Sequence, residues 1–123
     1  FERGKTLIMK TTIYHNPRWG KSRDSVRILS DKNIPFTIIE YLKKPLKVKQ
    51  LKHIIKLLDL NAIDIVRTTE KDYKDNNLEA LSNDEQKLLE AIEQFPKIMQ
   101  RPIIVHGKKA VIGRPPENIN KIL

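Results

Sequence analysis

The chain has 123 residues, 39% of them hydrophobic and 32% charged, a balance that suits one folded domain better than a disordered segment. It contains no cysteine, which excludes disulfides, thiolate metal centres and any thiol redox cycle carried by these residues. No apolar run approaches the ~20 residues of a membrane-spanning helix and no secretory leader is visible, so the sequence predicts a cytoplasmic protein with no membrane partner.

The formal net charge is +9. The lysines are spread through the chain, alternate with Ile, Leu and Asn, and never form a block of five. That is the pattern of solvated helix faces, and it does not point to a nucleic-acid partner. A positive field also raises the encounter rate of a small anion. Residues 1–8, FERGKTLI, precede Met9 and read as a tag or upstream extension, leaving 9–123 as a single domain.

The first predicted element is a strand over 11–15, TTIYH, whose β-branched and aromatic residues stop at Asn16-Pro17. A turn follows, with Trp19 and Gly20 at its centre. From Lys21 to about Lys32 the positions Val26, Ile28 and Leu29 suit a helix, with Asn33 as its stop. FTIIEY, 36–41, is a second strand. Val48, Leu51, Ile55 and Leu58 then form one face of a helix whose other faces are lysine-rich. Residues 61–95 read as helical, with Ser82 and Glu85 spaced as a capping box and Pro96 as a terminator. PIIVH (102–106) and KAVIG (109–113) predict a hairpin. Pro115-Pro116-Glu117 opens a short helix through Leu123. The order β-α-β, helices, β-β-α is that of an α/β, thioredoxin-like domain with a mixed four-stranded sheet and a helical insertion.

Two features carry chemistry. Strand-to-helix turns like YHNPRWGKSR often hold a reactive thiol in phosphate- and oxyanion-handling enzymes, yet Trp19 stands in the middle of this one. Arg67, Arg101 and Arg114 sit at element edges rather than on solvated faces, and a planar guanidinium grips tetrahedral oxyanions bidentately. Whether the three converge is not a matter spacing decides. His53 and His106 have no second ligand at metal spacing, so no metal site is expected.

The motifs IYHNPR, GKSR, EYLKKPL, RPIIV and IGRPPE, in this order, closely resemble those of the glutaredoxin-dependent arsenate reductases. The same family includes the Spx-type transcription regulators, and the likeness covers Thr11 to Leu123. In that family a cysteine in the loop after His-Asn-Pro attacks arsenate, glutathione displaces the adduct, and glutaredoxin completes reduction to arsenite. The resemblance implies that His15 helps lower the nucleophile's pKa and that Ser22 and Arg23 lie at the adjoining helix start. It marks Arg67, Arg101 and Arg114 as oxyanion-binding and Arg101-Pro102 as a cis peptide bond. It implies arsenate or another oxyanion as ligand, glutathione and glutaredoxin as reductants, and no bound cofactor.

The departure falls on the nucleophile, whose position is Trp19. An indole offers one N–H donor and no lone pair able to attack arsenic. The Ser22 hydroxyl forms no sulfur–arsenic intermediate and takes no electrons from glutaredoxin. The sequence therefore predicts an arsenate-reductase scaffold inactive by the thiol route. The alternative is a non-catalytic oxyanion-binding or Spx-like interaction module, although the usual Cys-x-x-Cys positions are Trp19 and Ser22.

Overall fold

The computed structural model describes residues 10–123, so the expected boundary at Met9 lies outside the described residues. Strand β1 (Thr11–His15) is buried apart from half-buried Tyr14. It pairs antiparallel with β3 (Ile103–His106), Ile13 opposite Ile104, and β3 pairs antiparallel with β4 (Lys109–Ile112). Gly107 makes that hairpin turn at φ 61°, a conformation that costs glycine little. On the other side of β1 lies β2 (Thr37–Glu40), so the order is β2-β1-β3-β4 and the sheet is mixed, as the sequence predicts.

Helix α1 (Gly20–Asp31) makes the crossover between β1 and β2. It ends beside Asn33 at φ 55°, a left-handed position that asparagine tolerates better than most side chains. Ile13, Leu29, Ile104, Ile119 and Ile122 form the buried centre, with Val26, Phe36 and Val111 packed around it. Ile119 and Ile122 come from the end of the chain, where a 3₁₀ helix spans Pro116–Lys121.

The chain divides into two compact units. The first comprises the residues to Ile39 together with Arg101–Leu123, and the second is Glu40–Gln100. In the second unit α2 (Val48–Leu58) buries Leu51, Ile54 and Ile55. The inward face is thus turned slightly from the expected one, with Ile54 buried and Val48 and Leu58 only half-buried. The expected helical stretch over 61–95 is broken into α3 (Lys71–Asp75), α4 (Glu85–Gln94) and two 3₁₀ turns, Ala62–Ile65 and Leu78–Leu81.

The capping box expected at Ser82 does not form. Ser82 is helical (φ −59°, ψ −24°) and ends the preceding 3₁₀ turn, whereas a cap must be extended. Asp84 takes the role and accepts from the Lys87 N–H at 3.1 Å. Glu85 is thereby freed to accept the Ala62 N–H at 2.5 Å. An antiparallel bridge between Val66 and Met99 closes this unit, with the Arg67 N–H donating to the Ile98 carbonyl at 2.6 Å.

One glycine in the first unit is fixed by space alone. A Cβ on Gly113 would come within 2.7 Å of Ser25 Oγ, 2.8 Å of Pro102 Cγ and 3.1 Å of Ile104 Cδ1. Gly113→Ala should therefore destabilise by about 1–3 kcal/mol, read as a lower urea midpoint. Gly20→Ala, whose Cβ would meet only Arg23 at 3.8 Å, should stay within about 0.5 kcal/mol of the parent.

Burial pushes the Tyr14 phenol above its ordinary pKa. Its contribution to stability is complete below the unfolded-state value and is lost as pH rises through the raised folded value. Past about pH 10, Tyr14→Phe should consequently lose less stability than the parent, measured by denaturation across an alkaline series.

Candidate functional site

The site is built where β1 hands over to α1. Asn16, buried, fixes the turn three times. Its N–H donates to Ser22 Oγ at 3.0 Å, its Oδ1 accepts from the Arg18 N–H at 3.1 Å, and its carbonyl accepts from the Trp19 N–H at 3.1 Å. An asparagine side chain bonded to the backbone two residues on is a turn former in its own right, so this Asn-Pro turn is rigid for a local reason.

Ser22 is fully buried, and its Oγ also lies 2.6 Å from His15 Nδ1. A hydroxyl has one donor and two acceptor sites, so Ser22 serves His15 and Asn16 together. Buried His15 at the end of the strand and buried Ser22 in the first turn of the helix are thereby joined.

Trp19 is the extended residue (φ −107°, ψ 132°) that precedes α1, and its carbonyl accepts the Arg23 N–H at 3.1 Å. An indole has no acceptor, so residue 19 cannot cap the helix with its side chain. No acidic residue occupies the first turn of α1, which leaves the positive end of the helix dipole unopposed by a carboxylate there. The guanidinium of Arg23 folds back over the turn, its Nη1 donating to the Pro17 carbonyl at 2.9 Å.

Arg101 enters the same turn from the start of β3. It is only 4% exposed, and its guanidinium carbon lies 3.8 Å from the centroid of the Trp19 ring. Such a cation–π contact is worth about 1 kcal/mol. Trp19 itself remains 46% exposed, so the indole neither fills the core nor turns away from the arginine. Arg101-Pro102 is a cis peptide bond, as is Arg114-Pro115.

The structure thus gathers His15, Trp19, Ser22, Arg23 and Arg101 around one turn. Arg114 belongs to the same unit and is exposed after β4. Its loop is braced by Asn118, whose Nδ2 donates to the Ile112 and Arg114 carbonyls at 3.1 Å each. Arg67 belongs to the second unit, where its Nε lies 3.6 Å from Glu70 Oε2. His106 shares a hydrogen bond of 2.7 Å with Thr11 Oγ1, and His53 is exposed on α2.

Asn16 and Asn118 are not among the candidate site residues read from the sequence. Asn16-Pro17 is a turn signal, which the sequence does show, whereas the bracing by Asn118 has no local pattern. Among the described residues no group of three His, Cys, Asp or Glu side chains could hold a metal ion, and no helix is long and apolar enough to cross a membrane. The turn offers cations, backbone donors and a buried histidine–serine pair, and no thiol.

Residues 14–122 match the ArsC family. An arsenate reductase of Haemophilus influenzae is 39% identical over 116 residues, covering 94% of this chain and all of the relative. The global transcriptional regulator Spx of Streptococcus pneumoniae is 30% identical over 112 residues, 91% of this chain and 84% of the regulator. Among solved structures, the arsenate reductase from Vibrio cholerae superposes with a TM-score of 0.89 at 36% identity, covering 94% of this chain and 98% of that one. The chain belongs to the ArsC family, and its mixed sheet with added helices is that family's thioredoxin-like fold.

Ser22→Ala removes the acceptor of the Asn16 N–H and the partner of His15 Nδ1 in one step. Leaving buried polar groups without those partners should cost about 1–3 kcal/mol, measured as a lower unfolding midpoint.

Proposed function

We propose a cytoplasmic ArsC-family protein that binds an oxyanion at the β1–α1 turn and does not reduce arsenate by the thiol route. The observation that carries this is the turn itself. Trp19 stands at the head of α1, where the family resemblance puts the attacking cysteine, and none of the 123 residues is a cysteine. Without a thiolate no sulfur–arsenic bond forms, and glutathione and glutaredoxin have no adduct to act on.

The remaining parts favour anion binding. A charged hydrogen bond to an oxyanion contributes roughly 1.5–3 kcal/mol. Arg101, held in place and largely buried, and Arg23, folded over the turn, are cations at the site, with Arg114 and Arg67 as the further arginines the resemblance marks. Stacking engages the face of the Arg101 guanidinium, whereas an oxyanion is bound in its plane, so indole and anion make geometrically different demands on it. His15 and Ser22 keep the turn in shape for that anion.

A glutaredoxin-coupled arsenate assay tests the reading. The parent chain should stay at the no-enzyme rate, and Trp19→Cys should turn over in a glutathione-dependent manner. Reduction by the parent chain would overturn the assignment of Trp19.

A further inference from the structure

Trp19 is the chain's only tryptophan and the most exposed of the large apolar side chains described, at 46%. A ring of that size left in water forfeits much of the burial it could gain. Its position is nevertheless held. The backbone is bonded on both sides, by the Asn16 carbonyl and the Arg23 N–H, and one ring face lies on Arg101.

Two further arginines stand in the same turn. Arg18 and Arg23 are exposed, and the Arg23 fork is drawn back over the helix start. Its Nη2 passes within 3.8 Å of the Cβ position of Gly20, the residue next to the indole. The turn thus carries a held, half-exposed aromatic ring and an arginine fork drawn onto its backbone, with no acid in the first turn of the helix. An aromatic surface next to fixed cations is how flat anionic molecules are bound. The ring stacks, and the cation takes the charge.

We propose that Trp19 selects oxyanions that carry a flat aromatic group, such as an aryl phosphate. The aryl ring lies on the solvent-exposed indole, and the oxygens sit at the Arg23 guanidinium beside the start of α1. This deepens the oxyanion reading of the turn and rests on it. It also assigns the indole a role of its own rather than that of a lost cysteine.

Calorimetric titration with inorganic phosphate, methyl phosphate and phenyl phosphate separates the two. Phenyl phosphate should bind at least about fivefold more tightly than methyl phosphate, the low end of stacking on an aromatic side chain. It should also change the emission of the single tryptophan. Trp19→Leu should bring phenyl phosphate to the affinity that the same variant shows for methyl phosphate. Arg23→Gln should weaken both esters by a similar factor. If phenyl phosphate binds no more tightly than methyl phosphate, or the difference survives in Trp19→Leu, the platform is wrong while phosphate binding sustains the oxyanion site. If none of the three anions binds, the oxyanion reading falls and the platform with it.

Discussion

A single buried hydroxyl joins the end of β1 to the start of α1. Ser22 Oγ meets the Asn16 N–H and His15 Nδ1 from inside the helix, so strand, turn and helix cannot shift independently. In a buried setting such a bond is electrostatically stronger than in water, and leaving either partner unpaired is costly. Everything else at the site follows from this. With the turn fixed, Trp19 has one backbone conformation from which to meet Arg101, and Arg23 reaches the Pro17 carbonyl across the same turn.

The ArsC-family scaffold carries Trp19 at the head of α1. The positions that the resemblance marks at this turn, His15, Ser22 and Arg101, are buried, and they are the ones that also shape it. A buried residue with a hydrogen-bonding duty serves the fold whether or not chemistry uses it. Residues that shape a turn are therefore not by themselves evidence of catalysis there. Family membership sets the architecture here.

Much of this was legible in the sequence, for identifiable reasons. The β-branched run in TTIYH, the glycine in the β3–β4 turn and the apolar spacing of α1 each report a local preference that packing reinforces. The second unit was less legible because its elements are short and compete. Ser82 and Asp84 both suit a cap, and only the backbone of the preceding 3₁₀ turn decides between them. The inward turn of α2 toward Ile54 follows from what packs on it, which periodicity does not contain. The Trp19–Arg101 stack joins residues far apart in the chain, so no spacing rule announces it. The family motifs marked both positions without saying that they touch.

That stack couples two distant positions. Arg101 is a buried cation covered by the indole, so the ring is part of what makes the arginine tolerable in its place. Replacing Trp19 with a small side chain would strip that cover from the guanidinium. Such a coupling ties the side chain at position 19 to the setting of a cation far away in the sequence, so a change at one is felt at the other.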